Sequence, residues 1–142
     1  MRAVVIYESL TGNTARAAEL IATGLTDGGV PALACATTAI DYQALADADL
    51  VVVGSWTDGL FFVGQRPAKA GRLAQLPYIT GKTCAVYCTY AIDTGKTLEK
   101  LSDIMRDRGG DVIGGMAIKR NRLETGSQEF VDRVLGVVSA RS

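Results

Sequence analysis

Histidine is absent from this chain, and cysteine, proline and aromatic residues are scarce. With no histidine and no pair of cysteines at CxxC spacing, a zinc site and a histidine-based catalytic triad are both excluded. The three cysteines, Cys35, Cys84 and Cys88, lie in apolar runs that are typical of strands. We interpret them as small core residues of a protein kept in the reducing cytoplasm.

The chain also lacks an excess of charge of either sign and a long apolar run. Lys plus Arg and Asp plus Glu both total 15. No basic tract therefore indicates binding to nucleic acid or to a membrane surface. No stretch approaches the roughly 18 apolar residues of a membrane span, and the N-terminal apolar run is too short for a signal peptide. With 48% apolar and 21% charged residues, we expect one soluble domain over residues 1–142.

What the chain does contain is a regular alternation of strand and helix patterns. Candidate strands cover 2–8, 30–36, 50–54, 83–88 and 112–118. The helices between them cover 13–27, 41–48, a segment opened by Pro67, a segment around Leu101 and a segment from about Ser127. Asp41 is a candidate N-cap, and Gly28-Gly29 a left-handed C-cap. This alternation predicts a parallel sheet with helices on both faces and a ligand site at the carboxyl ends of the strands.

The loop after the first strand is suited to hold a phosphate. Ser9, Thr11 and Thr14 offer hydroxyl groups, Asn13 offers an amide, and Gly12 permits a tight turn. The loop ends at a helix N-terminus, where N–H groups and the helix dipole favour an anion. The alternative is that Thr11 or Asn13 only caps the helix.

Aromatic residues occur on two later loops that flank one crevice of the predicted sheet. Trp56, the only tryptophan, follows the third strand, and Tyr90 follows the fourth. Aromatic side chains on both sides suit a flat tricyclic ligand. The alternative for Trp56 is that it packs in the core beside Phe61 and Phe62.

These motifs together resemble those of the flavodoxin family. Ser9-x-Thr11-Gly12-x-Thr14 matches the phosphate loop of flavodoxins at the same place in the chain, and Trp56 and Tyr90 stand where flavodoxins carry the aromatic residues that sandwich the flavin. The absence of a long insertion in the fifth strand resembles the short-chain group. The resemblance implies an α/β flavodoxin-like sandwich, a five-stranded parallel sheet in the order 2-1-3-4-5, and one noncovalent FMN.

The resemblance also implies a function and a set of binding residues. By likeness, the phosphate contacts are Ser9, Leu10, Thr11, Gly12, Asn13 and Thr14, and the flavin ring is lined by Ser55, Trp56, Thr57, Asp58, Gly59, Thr89, Tyr90, Ala91 and Ile92. The protein would be a monomeric, low-potential one-electron carrier between a reductase that donates electrons and an enzyme that accepts them. A low potential follows because a charged, reduced ring is disfavoured between aromatic faces with few counter-charges.

Two departures from the family pattern have consequences. Thr57 stands where flavodoxins usually carry glycine, next to the peptide bond that turns over when the flavin is reduced. In this chain, the bond that turns over is either 57–58 or, if Gly59 supplies the flexibility, 58–59. The chain is neutral where flavodoxins are acidic, which questions the usual acidic docking face. The apolar run 60–63 is either a partner-binding patch or buried against the third helix.

Other functions on this architecture fit the residues less well. A phosphotransfer receiver is excluded because the third strand ends in Gly54-Ser55 and not in an aspartate. A P-loop is excluded because Leu76 and Tyr90 stand where its first glycine is required. The remaining alternatives are a flavin-dependent quinone or substrate reductase and an interaction module without flavin.

Overall fold

The computed structural model of the chain describes residues 1–8, 12–56, 70–92 and 94–141. The strands are β1 (Ala3–Tyr7), β2 (Ala32–Ala36), β3 (Leu50–Trp56), β4 (Thr83–Tyr90) and β5 (Asp111–Lys119). The helices are α1 (Asn13–Asp27), α2 (Tyr42–Asp47), α3 (Ala70–Ala74), α4 (Thr97–Asp107) and α5 (Leu123–Arg141). The helix start predicted at Pro67 lies outside the described residues. No described helix has the length and apolar character needed to cross a membrane.

The five strands form one parallel sheet in the order β2-β1-β3-β4-β5, which confirms the predicted fold. Side chains of successive strand residues point to opposite faces, so each strand contributes to two cores. One core packs the sheet against α1 and α5 and includes Ile21, Val52 and Phe130. The other packs it against α2, α3 and α4 and includes Leu73 and Leu101. Burial of β1, β3 and β4 on both faces explains their nearly continuous apolar sequences.

The predicted helix ends of α1 and α2 are confirmed. Gly29 has a φ of 96°, a conformation that costs glycine little, and its N–H bonds the carbonyl of Thr26 at 3.1 Å. The carboxylate of Asp41 accepts a hydrogen bond from the N–H of Ala44 at 3.0 Å and thereby caps α2. Local chemistry therefore determined both of these boundaries.

Strands β3 and β4 extend beyond their predicted ends. Ser55 and Trp56 belong to β3 and pair with Cys88 and Thr89 of β4. Tyr90 in turn pairs with Lys119 of β5. The prediction placed Ser55, Trp56, Thr89 and Tyr90 in loops because the apolar run ends before them. Pairing with an extended neighbour on the next strand continues the ladder regardless of polarity.

Two other boundaries also differ from the prediction. Strand β2 starts after Pro31, whose missing N–H prevents it from joining the ladder as a donor. Helix α5 starts at Leu123 and not near Ser127. Its first turn contains a glycine, Gly126, whose N–H nevertheless bonds the carbonyl of Arg122 at 2.9 Å. Glycine and polar residues hide this turn from a search for apolar periodicity.

Candidate functional site

The buried polar residues of the described chain all lie at one edge of the molecule. They stand at the carboxyl ends of strands or in the first two turns of helices: Glu8, Thr14, Ser55, Thr89, Thr97 and Ser127. Buried polar groups lower stability unless they are hydrogen-bonded, so their concentration in one place requires an explanation other than packing. The carboxyl edge is also where parallel α/β sheets bind ligands. It is therefore the candidate site.

The start of α1 forms the part of this edge where an anion was predicted. Ser9, Leu10 and Thr11 lie outside the described residues. Gly12 occupies the N-cap position with a φ of 95°, and Asn13 is already the first helical residue. The alternative that Asn13 caps the helix is therefore wrong. A Cβ at Gly12 would meet nothing within 4 Å among the described residues, so the start of the first helical turn is sterically open, at the kind of position where helices bind anions.

A buried pair of hydroxyl groups joins the first loop to the end of β4. Thr14 Oγ1 and Thr89 Oγ1 are 2.8 Å apart, and both residues are almost fully buried. The hydrogen bond between them uses only one of their two hydroxyl protons. The second proton can be donated to a further acceptor, such as a phosphate oxygen. The structure thus brings together two predicted site residues, one from the start of α1 and one from the end of β4.

Tyr87, in the core, supports the pair of Thr14 and Thr89. Its hydroxyl donates to the carbonyl oxygen of Thr14 at 2.8 Å. Its ring passes over Gly54 so closely that a Cβ there would lie 2.0 Å from the ring, so only glycine fits. Burial raises the pKa of Tyr87 well above its ordinary value, which keeps the hydroxyl protonated and able to donate. The sequence prediction did not include Tyr87 in the site.

The two aromatic residues end adjacent strands. Trp56 is the last residue of β3 and Tyr90 the last of β4, and both are half-buried. Among the described residues, Trp56 is part of neither apolar core. Its indole Nε1 is buried and has no hydrogen-bond partner among the described residues, which costs about 1–3 kcal/mol. A flat ligand with acceptor atoms would fit beside such a donor.

The rest of the predicted ring-binding residues divide into two groups. Ala91 is half-buried and Ile92 is 73% exposed, which is unusual for a large apolar residue. The carbonyl oxygen of Tyr90 accepts a hydrogen bond from the N–H of Arg120 at 2.8 Å, so the turn after β5 supports this loop. Thr57, Asp58 and Gly59, together with the run 60–63, lie outside the described residues.

An ion pair with a buried carboxylate lies at the same edge and was not predicted from the sequence. Glu8 is only 3% exposed. Its carboxylate accepts a hydrogen bond from the hydroxyl of Thr37 and lies 3.6 Å from Arg72 Nη1. No local pattern connects these residues, because they follow β1, follow β2 and lie on α3. Glu8 therefore does not add to the surface charge of the site.

The thiols show no sign of chemical activity. Cys84 and Cys88 are buried, Cys35 is half-buried, and none is in a disulfide. Burial raises the pKa of Cys84 to about 12 and raises that of Cys35 as well, so both thiols stay protonated. In the described part of the chain, no cluster of three or more acidic, cysteine or histidine side chains could hold a metal ion.

Comparison with known proteins gives one sequence relative and many structural ones. No family model matches the chain. A flavodoxin of Clostridium beijerinckii is 23% identical over 128 residues, which cover 90% of this chain and 93% of that protein. A short-chain flavodoxin associated with a non-canonical PDU bacterial microcompartment has a TM-score of 0.68 and 20% identity, covering 94% of this chain and 98% of the other.

A larger protein also contains this fold. Rubredoxin:oxygen oxidoreductase of Desulfovibrio gigas has a TM-score of 0.70 and 20% identity over 96% of this chain, which covers only 36% of that protein. The fold therefore occurs both as a whole protein and as one part of a larger oxidoreductase. Together these comparisons confirm the flavodoxin-like fold and the predicted resemblance to short-chain flavodoxins.

Proposed function

Because the chain resembles short-chain flavodoxins in sequence and in fold, we propose that it binds one FMN and carries single electrons between partner proteins. The observation that carries this proposal is the concentration of buried polar groups at the carboxyl edge, beside an open helix start and two strand-end aromatic residues. When bound, the flavin ring supplies the redox chemistry. The residues of the chain bind it, orient it and exclude water.

The residues at this edge fit FMN in two places. The open start of α1 at Gly12 and the hydroxyl pair of Thr14 and Thr89 suit the phosphate, because N–H groups and hydroxyls are the donors that a dianion accepts. Trp56 and Tyr90 suit the ring, and the Nε1 of Trp56, which has no partner among the described residues, suits one of its acceptor atoms. Ser9, Leu10 and Thr11 complete the proposed phosphate site, and Thr57, Asp58 and Gly59 the proposed ring site.

We further propose a low reduction potential, a cytoplasmic location, and a reductase and an acceptor enzyme as partners. The half-buried aromatic residues favour a neutral ring over a charged one, because a charge loses hydration there. The three free cysteines suit a reducing compartment. The alternative, a quinone or substrate reductase, requires a substrate cavity over the ring and predicts steady turnover of a small quinone with a chemical or enzymatic electron donor.

The proposal is tested by titrating FMN and riboflavin, which lacks the phosphate, against the purified chain. We expect quenching of FMN fluorescence at one flavin per chain. Thr14→Val should weaken FMN binding by about 1.5–3 kcal/mol, roughly 10- to 150-fold, because a hydrogen bond to a charged acceptor is lost. Riboflavin binding should change much less.

The matched control is Thr23→Val, which makes the same change at an exposed position of α1. It should leave both affinities unchanged. A chain that binds neither flavin contradicts the proposal and supports the interaction module. Equal losses for FMN and riboflavin in Thr14→Val would show that this hydroxyl does not contact the phosphate.

A further inference from the structure

A cluster of positive charge lies beside the proposed flavin site, and none of its residues is among those proposed to hold the flavin. Lys119 ends β5, Arg120 and Arg122 occupy the turn between β5 and α5 at the carboxyl edge, and all three are exposed. Arg16 of α1 faces the same place, because it lines a shallow cleft of about 320 Å³ together with Arg120 and Arg122. We call Arg16, Lys119, Arg120 and Arg122 the basic edge.

Little negative charge opposes the basic edge in the described part of the chain. Glu124 lies 3.5 Å from Arg16, but both side chains are more than half exposed, so water and salt weaken the pair. Glu8 is buried in its own ion pair with Arg72 and does not reach the surface. The chain as a whole is neutral, so the positive potential here arises from the placement of charges.

The basic edge is directly connected to the loop that would line the flavin ring. The N–H of Arg120 donates to the carbonyl oxygen of Tyr90 at 2.8 Å. Ile92, on the same loop, is 73% exposed. A charged rim around an exposed apolar residue is the usual composition of a protein-binding surface. The cations are exposed, so they act mainly on an approaching partner and only weakly on a buried ring.

We propose that the basic edge docks an acidic protein, the redox partner, with Ile92 at the centre of the contact. This inference rests on the proposed function, because an electron carrier must present its flavin edge to its partner. Complementary charge steers such encounters and can raise association rates about 10- to 1,000-fold at low ionic strength. A partner with a basic docking face would be repelled.

The test uses one haem protein in two charge states. Cytochrome c is basic, and full succinylation converts its lysines to carboxylates, so the product is acidic. The FMN-loaded, reduced chain is mixed anaerobically with each form, and each haem Fe³⁺ gains one electron that the flavin loses. We expect the succinylated form to react at least about tenfold faster at low ionic strength, and its advantage to disappear as added salt shortens the Debye length from about 30 Å to about 10 Å.

Charge-reversal variants locate the effect. Arg120→Glu combined with Arg122→Glu should abolish the preference for the succinylated form. The matched control, Arg106→Glu combined with Arg141→Glu, makes the same change in total charge in the last turns of α4 and α5, at the opposite edge. It should retain the preference. Thermal melts check that both variants are folded.

A second experiment separates this inference from the proposed function. It measures equilibrium binding of the flavin-free chain to each cytochrome by sedimentation, monitored through the haem absorbance. A flavin-free chain that prefers the succinylated form supports the basic edge even if FMN does not bind. Preference for native cytochrome c, or equal effects of the two double variants, overturns the inference and leaves FMN binding untouched.

Discussion

The amino ends of the strands (the amino edge) and their carboxyl ends (the carboxyl edge) bury different side chains, although the same strands and helices form both. The amino edge buries apolar residues such as Leu25, Leu50 and Ile79, and the described residues place no buried polar side chain there. The carboxyl edge buries hydroxyls and a carboxylate. The amino edge is built for stability, whereas the carboxyl edge accepts groups that reduce stability unless they are paired.

Backbone hydrogen bonds continue the ladder at both edges. At the amino edge, the N–H of Asp49 bonds the carbonyl of Arg2 at 2.9 Å, and at the carboxyl edge the N–H of Arg120 bonds that of Tyr90 at 2.8 Å. The carboxyl edge adds a buried side-chain bond, the pair of Thr14 and Thr89. Backbone bonds form with almost any sequence, but side-chain bonds depend on identity and can be shared with a ligand.

The largest effect should come from the amino edge. Leu25→Ala removes a fully buried side chain at the end of α1 and should lower the free energy of unfolding by about 2–5 kcal/mol. Flavin affinity per folded molecule should not change, because Leu25 lies far from the site. Leu33→Ala, at a position that is 40% exposed, should cost much less in the same denaturant titrations. A loss of flavin affinity per folded molecule in Leu25→Ala would contradict the distinction between the two edges.

A smaller and opposite effect is expected from the carboxyl edge. Trp56→Phe removes the buried Nε1–H, which has no partner among the described residues, while keeping an aromatic ring. The flavin-free protein should therefore gain up to about 1–3 kcal/mol of stability. The same change should weaken flavin binding, because the donor that the ligand satisfies is lost. Thermal melts without flavin and flavin titrations measure the two effects. If the flavin-free variant were strongly destabilised, Trp56 would be a core residue.

The smallest effect concerns Tyr87, whose buried hydroxyl lies below the carboxyl edge in the core. Tyr87→Phe should lower the free energy of unfolding by about 0.5–1.5 kcal/mol near neutral pH, because the hydrogen bond to Thr14 is lost. Tyr42→Phe, at an exposed tyrosine, should change nothing measurable.

The pH dependence of this difference follows from the raised pKa of Tyr87 in the folded state. Below pH about 10 the hydroxyl is protonated in both states, so its contribution is fully present. Above pH about 10 the unfolded chain loses the proton while the folded chain keeps it. The stability advantage of the wild type over Tyr87→Phe should therefore shrink by up to about 1.4 kcal/mol per pH unit. An advantage that stayed constant up to pH 11 would contradict this.

Local patterns were enough to predict the elements and the parallel sheet, whereas the strand order 2-1-3-4-5 came from the resemblance to flavodoxins. Continuous apolar runs indicated strands buried on both faces, and Asp41 and Gly29 marked helix ends by their own chemistry. Strand ends were predicted less well, because Ser55, Trp56, Thr89 and Tyr90 are extended through pairing with neighbouring strands. A partner strand lies elsewhere in the sequence, so no window around these residues contains the information.

The sequence by itself determined the alternation of elements, the sheet and the loops that gather at one edge, because these follow from short-range periodicity and turn chemistry. Only the tertiary structure decided which side chains meet there. The contacts of Thr14 with Thr89 and Tyr87 join residues more than 70 positions apart. The burial of Glu8 and the grouping of Arg16 with Arg120 likewise depend on how helices pack across the sheet. At such positions the polarity of a residue does not predict its burial, so only the folded structure shows which charged side chains reach the surface.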